Sequence, residues 1–233
     1  MVHLVAGRAA DALGGPRHDS GRGGRRAERA LNLSGGYHHA KPDRSEGFSL
    51  FNDIAIAVRH LRAAGAIPAD GRIAYVDLDA HQGNGVCHQF LEDREVFIFD
   101  MYNAQIYPAY DQVARRRIDC DLPLEMDCTG REYLTQLRER LPGFLDSIAR
   151  SRPISLGIYN AGTDVYQGDP LGCLSLTADD ILERDLFAMN AFRERKIPVV
   201  MLPSGGYTAE SNCLIASSAR ELLRSGSPDM SRR

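Results

Sequence analysis

Short apolar runs alternate along this chain with longer stretches whose apolar positions recur every three or four residues. That alternation predicts an α/β fold of three layers, a parallel sheet with helices on both faces. The strand-like runs lie at residues 30–33, 73–78, 96–100, 154–159 and 198–202. Phe48, Phe51, Ile54, Ala55, Val58 and Leu61 mark one face of a first helix. Thr129 and Glu132 form a capping box ahead of Leu134, Leu137, Leu141, Phe144 and Ile148, and Pro142 is expected to kink or break that helix. Thr177, with Asp180 three residues on, starts a third helix carrying Ile181, Phe187 and Met189. A fourth is predicted from about Thr208 to Arg224. Four strands run into polar, glycine-containing turns at 34–39, 79–85, 160–164 and 204–207, all on one edge of a parallel sheet. In open α/β sheets ligands bind at that edge.

Residues 1–29 break the pattern: Gly, Arg and Ala dominate, and they read as a disordered or atypical arm before one domain over 30–233. Their apolar segment, Leu4-Val5-Ala6, is too short for a secretory signal. The chain has 233 residues, 43% hydrophobic and 25% charged, enough for one domain with a sizeable core. A net charge of −3 argues against direct nucleic-acid binding, and no apolar run is long enough to span a membrane. Five scattered cysteines without a C-x-x-C pair fit a reducing, cytoplasmic setting.

Candidate chemistry concentrates in the turns. Asp79 and His81 stand two apart at a strand end, where both can face one cation, and Asp164 at another strand end could complete the set. One imidazole and two carboxylates leave positions for water and a substrate oxygen, as catalytic Zn²⁺ or Fe²⁺ requires. Taken alone, the same residues also read as a solvated Asp and a capping His. His38 and His39 follow Gly35 and Gly36, and Gly36 lets the backbone pass close to a ligand. Such imidazoles can serve as general base and acid, and Asp77 could fix the tautomer of one of them. Tyr207, after Gly205 and Gly206, could donate a hydrogen bond to an oxyanion or be a packed aromatic. Asp169 reads as a loop anchor.

Together these segments resemble the zinc-dependent histone deacetylase family, most closely its class IV branch. The matching strings are Asn-Leu-Ser-Gly-Gly-Tyr-His-His at 32–39, Asp-Leu-Asp-Ala-His-Gln-Gly-Asn-Gly at 77–85, Asn-Ala-Gly-Thr-Asp at 160–164 with Gly168-Asp169, and Ser-Gly-Gly-Tyr at 204–207. The resemblance runs over residues 30–218 and implies an arginase-like fold and hydrolysis of an N-acyl-lysine, in a protein or a small acylated amine. It implies Asp79, His81 and Asp164 as zinc ligands, His38 and His39 as the base and acid pair, and Tyr207 as the phenol that polarises the carbonyl. Gly36, Phe48, Tyr107 and Gly205 fall where the family binds substrate, Phe48 and Tyr107 along an acyl-lysine tunnel. The Asp77, Asp79 and His81 carbonyls, with Asp100 and Met101, resemble a structural K⁺ site at which Asp100 replaces the usual Ser.

Two departures shape expectations. Asn84 stands where most of the family has an Asp beside the second histidine, so His39 should be less basic. Family members also carry a longer segment ahead of the Gly-Gly-Tyr-His-His string, so the chain reads as a partial catalytic domain truncated at its N-terminus, with an exposed apolar sheet edge. The competing readings are a catalytically impaired fragment or acyl-lysine-binding scaffold, and a binuclear ureohydrolase on the same fold. The latter needs carboxylates that Gln82, Gly83 and Asn84 do not supply.

Overall fold

The computed structural model describes residues 29–224. The arm expected at 1–29 therefore falls, but for Arg29, outside the described residues. Six strands, β1 Arg29–Leu31, β2 Arg72–Asp77, β3 Val96–Asn103, β4 Cys120–Leu124, β5 Ile154–Asn160 and β6 Val199–Leu202, form one sheet in the order β1-β6-β5-β2-β3-β4. Every pairing is parallel. Six described helices cover it: α1 Asp53–Ala63, α2 Asn84–Gln89, α3 Gln112–Arg115, α4 Gly130–Ala149, α5 Ala178–Glu194 and α6 Ser211–Arg224.

The two-residue period of the strands divides the core. Ile73 and Tyr75 of β2, Ile98 of β3 and Ile158 of β5 face α1 and α2, against Ile54, Val58, Leu61 and Val86. Their neighbours Ala74, Val76, Phe99 and Tyr159 face α4 and α5, against Leu137, Leu141, Met189 and Phe192. Apolar side chains on both faces are what a sheet sandwiched between helix layers demands. The three-layer expectation holds.

Differences from the expected elements have local causes. Gly47 and Phe48 both take positive φ, +52° and +59°, which turns the chain before Asn52 caps α1 by accepting the Ala55 N–H. Phe48 is therefore 84% exposed in a loop, not on the helix face. Pro142 does not break α4, which runs unbroken for 20 residues. An interior proline costs about 3 kcal/mol. Leu141, Phe144, Leu145 and Ile148 are buried around it, each worth roughly 1.5–3 kcal/mol. Strand β4 escaped the sequence reading because Pro123 interrupts it, and it is tolerated because β4 is an edge strand.

The strand order places the site. From β2 the sheet grows through β3 and β4 to one side, and through β5 and β6 to the other. The order reverses at the β2–β5 seam, where the loops leaving the two strands diverge and open a crevice.

Candidate functional site

All four predicted turns converge at that crevice. Asp79, His81 and Asp164 offer donor atoms within 4.8 Å of one another, and all three residues are buried. His81 Nδ1 lies 2.8 Å from Asp164 Oδ2 and 3.2 Å from Asp79 Oδ1. Backbone donors aim the carboxylates: Asp79 accepts the His81 N–H (2.9 Å) and the Gly205 N–H (2.9 Å), and Asp164 accepts the Ala80 N–H (2.9 Å). Burial and the neighbouring Asp79 raise the Asp164 pKa to about 7. Burial opposes the charge on His81, but bonds to Asp164 and Asp79 override it and lift its pKa to about 10. Two buried carboxyl groups and one imidazole thus converge their oxygen and nitrogen donors on one point, which suits a dication.

Gly205 must be glycine because a Cβ there would lie 2.5 Å from Asp164 Oδ2 and 2.7 Å from Asp79 Oδ2. Gly36, at φ +94°, passes so close to Asn160 that a Cβ would meet Oδ1 at 2.5 Å. Both predicted glycines thus fix backbone against the site.

The paired histidines differ sharply. His38 Nδ1 is 2.8 Å from Asp77 Oδ2, and Nε2 is 3.7 Å from Asp79 Oδ1. Burial disfavours its charged form, yet Asp77 and Asp79 outweigh burial and raise its pKa to about 9. His39 is pushed well below its ordinary value by burial and then by the charge of His38. Its Nδ1 lies 2.8 Å from Asn84 Oδ1. The Asn84 amide nitrogen donates to Glu46 Oε1 (2.7 Å), and Asp111 Oδ2 lies 3.4 Å away. Acceptors on that side fix the amide orientation, so Asn84 Oδ1 must receive the His39 Nδ1 proton, leaving His39 Nε2 its lone pair.

Aromatic rings line the entrance. Tyr107 meets His39 edge-on at 5.0 Å between ring centroids, and His39 and His81 are 5.9 Å apart. Tyr207 lies 6.3 Å from His81 and 6.0 Å from Phe48. Burial and the carboxylates of Asp79, Asp164 and Asp169 raise the Tyr207 pKa, so its phenol keeps its proton as a donor. Asp169 accepts the Tyr207, Leu171 and Gly172 N–H groups, a loop anchor as expected.

Sequence reasoning missed the residues that brace these groups. Asp53 accepts the Gly36 N–H (3.0 Å) and the Tyr37 N–H (2.8 Å), and Asn160 donates to Asp77 Oδ1 (3.0 Å) and Ser204 Oγ (2.9 Å). An Asp in a helix's first turn is ordinary dipole chemistry, so Asp53 carried no distinguishing signal. Asp100 is fully buried; Oδ2 accepts the Gly83 N–H (2.9 Å), while Oδ1 has no hydrogen-bond partner among the described residues.

The model for the histone deacetylase domain matches residues 9–223 of the chain, reaching into the stretch read as an atypical arm. Histone deacetylase 2 of Arabidopsis thaliana is 42% identical over 197 residues, 84% of this chain and 49% of that protein. Histone deacetylase B of Dictyostelium discoideum is 30% identical over 190 residues, covering 78% of this chain and 42% of its own length. The chain thus spans about half the length of these two relatives. The crystal structure of acetylpolyamine aminohydrolase from Burkholderia pseudomallei superposes with a TM-score of 0.73 at 22% identity, over 94% of this chain and 60% of that one.

Proposed function

Because the chain belongs to the histone deacetylase family, we propose that it hydrolyses an N-acyl amide, on a lysine side chain or a small acylated amine, with one zinc ion. The observation that carries this reading is the convergence of Asp79, His81 and Asp164 beside His39, whose Nε2 is left as an acceptor. The donor set fits zinc: one nitrogen and two carboxylates, with room for water and a carbonyl oxygen. When bound there, zinc polarises the amide carbonyl and lowers the pKa of a water molecule. Among the described residues this is the sole group of its kind, which favours one metal over a binuclear ureohydrolase.

The chain's own residues divide the proton work. His39, neutral and tethered by Asn84, takes the proton of the attacking water at Nε2 and returns it to the departing amine nitrogen. His38, held cationic by Asp77, balances the charge that develops on the carbonyl oxygen. The Tyr207 phenol donates a hydrogen bond to that oxygen. Tyr107, Phe48 and Tyr207 sheathe the acylated arm and exclude water. Asn84 as the partner of His39 supports placement in the class IV branch. The orphaned Asp100 oxygen supports a K⁺ ion beside Asp77. Free cysteines throughout the described residues accord with a cytoplasmic setting.

The test is hydrolysis of an acetyl-lysine peptide and of an acetylated polyamine by the zinc-loaded chain, with metal stoichiometry measured alongside. Release of acetate from either, lost on chelation and restored by zinc, supports the reading. Stoichiometric zinc without hydrolysis of either substrate leaves a binding scaffold in its place.

A further inference from the structure

Arg184 is the largest fully buried side chain among the described residues, and it lies on α5, outside the constellation that handles substrate. Its guanidinium meets both strand ends at the seam. Nη1 donates to the Leu78 carbonyl (3.0 Å) and the Gly162 carbonyl (2.7 Å), and Nη2 donates to the Ala161 carbonyl (3.4 Å). Leu78 directly precedes Asp79, and Gly162 lies two residues before Asp164. The two carboxylate ligands thus hang from backbone segments that one planar group bridges, the Leu78 carbonyl also accepting the Tyr133 hydroxyl (3.3 Å).

A counter-ion makes this arrangement tolerable. Asp185 Oδ1 accepts from Arg184 Nε (2.9 Å) and lies 2.8 Å from Nη2; the Tyr159 hydroxyl (2.5 Å) and the Ser218 hydroxyl (2.6 Å) complete its shell. A buried charge without such a partner would be prohibitive. Carbonyls at buried strand ends need donors. Leu78, Ala161 and Gly162 stand where strand pairing runs out, and the five N–H donors of a guanidinium form a fork that a Lys ammonium cannot reproduce.

We infer that Arg184 is a positioning residue for the metal centre: by tying the Leu78, Ala161 and Gly162 carbonyls together it sets the spacing of Asp79 and Asp164, with Asp185 holding its fork in orientation. This rests on the zinc reading of the centre given above. Groups that orient metal ligands from behind typically contribute 10–100-fold to metal affinity.

The test measures zinc dissociation constants by chelator competition, so it does not depend on turnover. Arg184→Lys keeps the charge and loses the fork; Phe192→Leu, on the same helix but packed against Gly157 at mid-strand, serves as a control for lost stability. The expected result is zinc affinity weakened about 10–100-fold in Arg184→Lys, with Phe192→Leu unchanged at a comparable fall in melting temperature. Unchanged affinity in Arg184→Lys overturns the inference, as does a loss in both variants that simply follows melting temperature. Should Arg184→Lys yield no folded protein, Ser218→Ala decides, because it removes only one hydroxyl bond to Asp185: a measurable weakening supports the inference and an unchanged constant overturns it. If the unaltered chain binds no zinc, the reading of the centre itself falls, an outcome distinct from any variant effect.

Discussion

Asn84 shows how one amide can set the character of a histidine. Its oxygen faces His39 because its nitrogen faces Glu46, so the imidazole is oriented without being given a counter-charge. Replacing it by Asn84→Asp sets a carboxylate against Glu46 and has two separable effects. His39 gains a negative partner and its pKa rises; because it must be neutral to take the water's proton, the acidic limb of the pH–rate profile moves upward. An unchanged profile with activity retained would refute the coupling. The new carboxylate and Glu46 cannot both ionise at ease, so one folded-state pKa rises above its unfolded value. That costs about 1–3 kcal/mol at neutral pH, a deficit that vanishes as pH falls below about 4. Thermal melts of both chains across pH check the sign. Asp164→Ala removes one of three donors, and loss of both bound zinc and hydrolysis is expected; zinc retained at unit stoichiometry contradicts the ligand set. Zinc at a hundredfold excess over its dissociation constant should stabilise the unaltered chain by about 2.7 kcal/mol, about 5–10 °C in melting temperature, and leave Asp164→Ala unmoved.

At the scale of elements, strand ends were legible and their braces were not. The apolar runs of β2, β5 and β6 and the polar turns after them announced where ligands would sit, because alternation and turn chemistry are local. Asp53 and Arg184 act across the fold on backbone elsewhere in the chain, and nothing in their neighbourhoods distinguishes them. Asn160 opens a turn the sequence did mark, but its bonds to the Asp77 and Ser204 side chains arise only in the folded chain. Phe48 fitted a helical period by coincidence of spacing, and two positive φ values redirected it to the mouth of the site. The short helix α3 shows a further hidden brace. Asp111 caps it by accepting the Ala114 N–H (3.0 Å) while pairing with Lys41 Nζ (2.7 Å) and His88 Nε2 (3.0 Å). Burial alone would raise the Asp111 pKa, but the Lys41 bond, the Ala114 N–H and His88 hold it below the usual carboxylate range. A depressed carboxylate stabilises the fold above its unfolded pKa and ceases to do so as pH falls through its folded value. Asp111→Asn keeps a capping oxygen and loses the charge, so its melting temperature should lie below that of the unaltered chain at pH 7. The gap should close in acid, below about pH 4; a gap independent of pH would assign the whole effect to packing.

At the scale of the molecule, the three-layer architecture followed from periodicity alone, whereas the sheet order required the structure. No helix among the described residues is long and apolar enough to cross a membrane. The seam between β2 and β5 has a kinetic meaning as well. These two strands are direct neighbours in the sheet, yet β3, α4 and everything else in residues 78–153 lies between them along the chain. Contacts between segments so far apart form slowly, since the loop must close before the pairing rewards it. Asp79 and Asp164 therefore come within reach of one another only when the middle of the sheet has zipped shut. Zinc uptake should lag behind the recovery of helical signal when denatured chain is diluted into buffer, which a fluorescent zinc indicator followed beside circular dichroism would reveal. Capture of the ion would then mark completion of the fold: a partly assembled chain has no means of gripping the metal.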